Sequence, residues 1–251
     1  MRWIRNIGLG LVLMVAVNAC FTPPNYPITP QIEFINEELG FYKNPAGFDT
    51  LKIALKFTDG DGDIGLDDSF TDPKYAPQYF FFRNSSGQFI LSTLNQSNVN
   101  YKFKRLNPSF KLPDFVTPFN CNSWVLKKVN NVVVDTIYTE LNPNHYNLFI
   151  DYYIKNNSGT FTKYDVDQIF IFPFCGDRSL NGARIPNLSK DPGKESPLDG
   201  KIKYAIKSIG LEANFSIKTI KLKISIQDRA LNRSNEVESK EFTLQSIRKG
   251  G

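Results

Sequence analysis

Apolar and polar residues alternate with a period of two along much of the chain. Leu51, Ile53, Leu55 and Phe57 project one way, with Lys52, Ala54 and Lys56 between them. Near the end, Ile220, Leu222, Ile224 and Ile226 alternate with Lys221, Lys223, Ser225 and Gln227. Successive side chains of a strand point to opposite faces, so each run predicts a strand with one buried and one wet face. Shorter runs over 31–35, 79–83, 89–94, 148–154, 168–172 and 202–206 repeat the pattern. Residues 124–138 predict a hairpin turning at Val129-Asn130-Asn131, because Asn tolerates the left-handed backbone of a tight turn. Outside the N-terminus, no segment of helical length carries apolar residues at i, i+3, i+4 and i+7. The prediction is an all-β chain.

A short strand near residue 31, the strand at 51–58, and three closing strands at 201–208, 217–227 and 236–244 suggest an immunoglobulin-like β-sandwich. Residues 95–200 are too many for sandwich loops, so they are expected to add strands as an insertion in the same domain, with a second β-subdomain as the alternative. Within them, 181–200 is punctuated by Pro, Gly and Asn and reads as a loop or rim segment. Nothing there has the composition of a flexible linker, so 31–251 is read as one elaborated domain.

The N-terminus breaks the alternation. Arg2 and Arg5 precede an apolar run from Ile7 to Val17, the layout of a signal peptide and too short to span a bilayer comfortably. The run ends Val17-Asn18-Ala19-Cys20, which resembles a bacterial lipobox. That resemblance implies cleavage after residue 19 and lipidation of Cys20. An ordinary secretory cut near Ala19, leaving Cys20 a spectator, is the plainer alternative. Four prolines between Phe21 and Gln31 favour the lipoprotein, since they make residues 20–30 an extended tether. Several acyl chains on one Cys would anchor the chain without a spanning helix.

Processing alters the charge and cysteine arithmetic. The full chain of 251 residues carries +5, and loss of Arg2 and Arg5 lowers that to +3. So small a charge, without a concentrated Lys/Arg block, disfavours nucleic acid as a partner. Cys121 and Cys175 remain as an even pair in an oxidising compartment, which invites a disulfide; two separate buried thiols are the alternative. A single His and so few Cys argue against zinc and iron–sulfur centres and most His-based acid–base chemistry. No Gly-x-Ser-x-Gly elbow, phosphate-cradling Gly loop or His-Glu-x-x-His occurs, and His145 stands alone in a loop entering a strand. The expectation is a non-enzyme.

One stretch carries chemistry. Asp59-Gly60-Asp61-Gly62-Asp63-Ile64-Gly65-Leu66-Asp67-Asp68 holds five carboxylates and no basic residue. Asp at every second position lets side chains converge, and the glycines permit tight curvature. A hard cation with six to eight oxygen ligands suits that set, and Ca²⁺ is the usual one outside the cytoplasm. It is no EF-hand: with Asp59 as position 1, Ile64 stands where the turn Gly belongs and Phe70 where the bidentate Glu belongs. A polar Asp/Gly turn is the alternative, set against the repulsion of clustered charges. Paired carboxylates for glycoside hydrolysis would need wider separation than this loop offers.

A second polar segment, Asp228-Arg229-Ala230-Leu231-Asn232-Arg233-Ser234-Asn235, resembles the Asp-x-Ala-x-Asn-x-Ser segment before the last strand of bacterial immunoglobulin-like and cadherin-like domains. In such a sandwich it emerges at the same end as the Asp59–Asp68 loop, so Asp228 and Asn232 are added to the expected Ca²⁺ ligands. A plain hairpin with Asn232 left-handed is the alternative.

The lipobox, the tether leading to Pro30-Gln31-Ile32-Glu33-Phe34, Phe57-Thr58 with the Asp loop, and the 228–235 segment together resemble a family of outer-membrane lipoproteins of Bacteroidota. The resemblance covers the two ends of the mature chain and matches the middle only loosely. It implies an immunoglobulin-like fold and an outer-membrane location, and brings no established activity. Surface-exported lipoproteins of that phylum often carry acids soon after the Cys. Here the first is Glu33, which favours the periplasmic face over the cell surface. The expected role is an accessory or structural subunit of an envelope assembly, with an outer-membrane protein as partner. The alternative is a glycan-binding surface lipoprotein whose aromatics, such as Tyr79–Phe82 or Tyr152–Tyr153, stack on sugars; core packing of the same rings competes with it.

Overall fold

The computed structural model describes residues 24–67, 70, 72–83, 89–95, 102–107, 123–166, 181–189, 194–208 and 210–250. The signal segment, Cys20, Asp68, Cys121, Cys175 and the apolar run at 168–172 lie outside the described residues. The described residues are mostly strand, as the alternation predicts.

Two sheets pack face to face. In the first, the long strand β3 (Asp49–Asp59) is central. The short strands β1 (Gln31–Phe34) and β2 (Gly40–Tyr42) pair with its two halves, and β12 (Leu198–Ser208) pairs with its whole length, all antiparallel. The second sheet is built on β9 (Leu148–Lys155) and β13 (Ile220–Ile226). On the far side of β9 lie β10 (Phe161–Tyr164) and β11 (Gly182–Ala183), and on the far side of β13 lies β14 (Val237–Glu238). β3 and β12 thus lie in one sheet and β9, β13 and β14 in the other, the two layers of a β-sandwich.

The core is the facing set of alternate residues. Leu51, Ile53, Leu55 and Phe57 from one sheet meet Leu148, Ile150, Tyr152, Leu222, Ile224 and Ile226 from the other, all buried. Between β12 and β13 a five-residue helix, α1 (Leu211–Phe215), closes one end. Its spacing turns Leu211 and Phe215 inward, and Phe215 stacks on Tyr152 with ring centroids 5.6 Å apart. The strand expected from 217 therefore starts at Ile220, and Ile217 is left 93% exposed.

The final strand, expected over 236–244, forms a ladder only at Val237–Glu238, with a bridge at Phe242. Two serines account for the interruption. The Ser234 and Ser239 hydroxyls accept from the Ile226 and Leu222 amides, at 2.9 Å each, in place of backbone carbonyls. Past the bridge, Phe41 and Lys249 donate to Ile247 and Phe41 carbonyls, so the C-terminal segment also runs beside β2.

A third sheet, ordered β6-β5-β4-β8-β7, grows from the connection between β3 and β9. Its strands are β4 (Gln78–Arg83), β5 (Phe89–Asn95), β6 (Lys102–Asn107), β7 (Trp124–Val129) and β8 (Val132–Leu141). The β7–β8 hairpin turns as expected, with Asn130 and Asn131 at φ of 50° and 62°. The extra strands thus begin before residue 95, and β9 to β11, inside the range expected as insertion, belong to the sandwich itself. The 181–200 segment is also more than rim: Ala183 and Ile185 are buried in the core. No helix among the described residues is long and apolar enough to cross a membrane.

Candidate metal site

Where β3 leaves the sheet, its last residue is Asp59, 0% exposed. The chain then turns sharply, and three foreign backbones press against it. A Cβ on Gly62 (φ +70°) would collide with the Ser196 carbonyl, and one on Gly65 (φ +118°) would lie 2.6 Å from the Pro186 oxygen. Both positions need glycine twice over, for left-handed backbone and for room. At Gly60 the Tyr26–Pro27 strand of chain presses equally close, and the Gly60 amide donates to the Pro27 carbonyl at 2.8 Å.

These turns fold the aspartates inward. Carboxylate oxygens of Asp59, Asp63 and Asp228 all lie within 4.8 Å of one another. Asp228 is 3% exposed and follows β13, so the ends of β3 and β13 supply the group from opposite sheets. The two loops are also stitched directly: Ala230 donates to Asp63 Oδ2 at 3.0 Å and Arg229 to the Asp63 carbonyl at 3.3 Å.

The electrostatics are unfavourable as they stand. The Oδ1 atoms of Asp59, Asp61 and Asp63 are buried without a hydrogen-bond partner. Burial raises the Asp59 carboxyl to about 7, helped by the charges of Asp61, Asp63 and Asp228 and opposed by the Ile64 amide. Asp63 is raised to about 6, by burial first and then by Asp228 and Asp61, while the Arg229 charge and the Ala230 amide pull it down. Asp228 is raised too, chiefly by burial. A buried polar atom without a partner is costly, and carboxylates crowded together repel. A divalent cation among them would satisfy the orphan oxygens and offset the repulsion. The donor set is all oxygen, which suits a hard cation.

The remaining expected ligands divide. Asp61 is not among the three whose oxygens converge, but its Oδ1 is buried without a partner and its charge acts on Asp59. Asn232 stands behind Asp228: its backbone amide donates to Oδ1 at 2.7 Å and its side chain to Oδ2 at 2.8 Å. Both donors hold the Asp228 carboxylate in place. Leu231, not Asn232, takes the left-handed turn conformation, at φ 72°. Asp67 is not among the three whose oxygens converge, and its carbonyl accepts from Arg184 Nη2 at 2.8 Å.

Arg229 was not singled out by sequence reasoning. Its guanidinium donates to the Gly65 carbonyl at 3.2 Å and lies 5.0 Å from the centre of the Phe70 ring. Its carbonyl accepts from the Tyr75 hydroxyl at 2.5 Å and from Lys74 Nζ at 3.1 Å. Its place directly after Asp228 was the one available signal. His145 is structural in its setting, with Nδ1 2.9 Å from the Tyr75 carbonyl.

The rings considered for sugar stacking are mostly occupied. Phe80, Phe81 and Tyr152 are buried, and Lys223 Nζ sits 5.2 Å above the Tyr153 ring. No protein-family profile matches the chain, and neither a curated protein nor a solved structure matches it significantly.

Proposed function

We propose that this chain is a non-enzymatic lipoprotein of the outer membrane, an accessory or structural subunit of an envelope assembly, whose sandwich is stabilised by Ca²⁺. The calcium reading is carried by one observation: Asp59 is wholly buried, keeps an unpartnered oxygen, and shares its pocket with Asp63 and Asp228. Asp59, Asp61, Asp63 and Asp228 would hold the ion, which supplies positive charge and no reaction. Asn232 and the amides of Ile64 and Ala230 hold the carboxylates in position.

The membrane half of the reading rests on the N-terminal pattern, with Cys20 as the lipidated residue and the Pro-rich tether behind it. An immunoglobulin-like body with an added sheet would offer surface for a protein partner. Affinity purification of the tagged chain from detergent-solubilised membranes tests it. A stoichiometric outer-membrane protein is the expected companion, and a lone monomer overturns the subunit reading. Isothermal titration with Ca²⁺ tests the metal separately, and absence of binding overturns that part.

A further inference from the structure

The carboxylate pocket lies where parts of the chain outside the two-sheet core are tied down. Two residues do the tying, and each is a direct neighbour of a ligand. Gly60, between Asp59 and Asp61, donates to the Pro27 carbonyl, which fixes the N-terminal strap of residues 24–30. Arg229, next to Asp228, accepts from Tyr75 and Lys74, which form the short helical turn leading into β4. The same turn is joined to β8 where that strand pairs with the start of β4, because the buried Asn142 side chain, just past β8, donates to the Lys74 and Ala76 carbonyls at 2.8 Å each. A third connection reaches the loop before β12, where Ser196 donates to the Asp61 carbonyl at 3.1 Å.

We propose that the pocket is a cation-operated clasp: a divalent cation held by Asp59, Asp63 and Asp228 locks the strap and the third sheet onto one end of the sandwich, and its removal loosens both. The proposal rests on the calcium reading above and adds what the ion regulates.

The physical argument is one of shared backbone. Without a cation, buried like charges push the 59–63 and 228–230 segments apart. Any relaxation of that repulsion moves Gly60 and Arg229, since each is covalently next to a repelled residue. The hydrogen bonds to Pro27, Tyr75 and Lys74 have little freedom to follow, so they open. With the cation present, attraction replaces repulsion and the same atoms are held in register. The core beyond the pocket is spared, because Leu55, Ile224 and their neighbours pack independently of the loop charges.

Hydrogen exchange of the full chain in detergent, with Ca²⁺ or with EDTA, reads the effect peptide by peptide. Ca²⁺ is expected to slow exchange about tenfold over 72–83 as well as over 59–67 and 228–232, and to protect the strap 24–30 from limited proteolysis. Replacing Lys74→Met and Tyr75→Phe together should leave Ca²⁺ binding by titration calorimetry intact, keep the protection of 24–30 from proteolysis and abolish the slowing at 72–83. Slowing confined to 59–67 and 228–232, with no protection of 24–30 from proteolysis, in a chain that binds Ca²⁺ overturns the clasp while leaving the calcium reading standing. Full slowing at 72–83 in the double variant overturns the route through Arg229. No heat on titration of the unaltered chain overturns the calcium reading and the clasp with it.

Discussion

Asp59 closes the central strand of one sheet, Asp228 follows the central strand of the other, and their carboxylate oxygens meet within 4.8 Å. Both are buried, and neither faces a cationic side chain close enough to form an ion pair among the described contacts. The sandwich therefore holds a concentrated negative charge at one end, and most of the testable consequences follow from that.

The first concerns charge removal. In EDTA at pH 8, Asp59→Asn should raise the stability of the chain by about 1–3 kcal/mol, because an unpaired buried charge is replaced by a neutral group of the same shape. The Ile64 amide retains an acceptor in the amide oxygen. The same variant should lose its response to Ca²⁺. Chemical denaturation with and without Ca²⁺ measures both, and an Asn variant less stable than the parent in EDTA would count against the repulsion described here.

The second concerns pH. The Asp59 and Asp63 carboxyls, near 3.8 ordinarily, are raised to about 7 and about 6 in the fold. Between those limits the folded chain binds more protons than the unfolded one, so the metal-free protein loses stability as pH rises from about 4 to about 7 and then levels off. Saturating Ca²⁺ favours the ionised forms and should reverse the trend, so its stabilising effect is large at pH 8 and small at pH 5. Melting curves at the two pH values, with EDTA and with Ca²⁺, give the comparison. Equal calcium effects at both would contradict the assignment.

Glycine supplies an internal control. Gly62→Ala must accept left-handed backbone and a collision with the Ser196 carbonyl, whereas Gly159, at φ +85°, has open space around it. Gly159→Ala should cost about 1 kcal/mol and Gly62→Ala several times that, with weaker Ca²⁺ binding. Similar losses at the two positions would show that the close approach of 196 to the Asp loop is unimportant.

Asn235 tests how the first strand is held. Its side chain accepts from the Ile32 amide at 2.8 Å and donates to the Ile32 carbonyl at 2.9 Å, standing in for a neighbouring strand. Asn235→Ala should destabilise the chain by about 1–3 kcal/mol and speed amide exchange in β1 more than in β12. Unchanged exchange in β1 would refute that role.

Core truncation completes the set. Leu55→Ala or Leu222→Ala, at fully buried positions of the shared core, one from each sheet, should cost about 2–5 kcal/mol by denaturant unfolding and leave Ca²⁺ stoichiometry unaltered.

Much of this was legible in the residues because a strand states its buried face locally. Leu51 to Phe57 and Ile220 to Ile226 show their alternation without reference to anything else, and Asn130-Asn131 states its turn by backbone preference alone. The Asp59–Asp68 loop likewise stood out, since carboxylates so dense are rarely neutral in consequence. Two things depended on distant partners. The last strand looked continuous, yet the Ser234 and Ser239 hydroxyls displace its ladder. Arg229 looked like one polar residue among several, yet its backbone joins the pocket to the third sheet. Local pattern fixes which face of an element is wet, because solvent contact is decided side chain by side chain. Which oxygens converge, and which neighbours they carry with them, is decided only when strands from opposite sheets end at the same place.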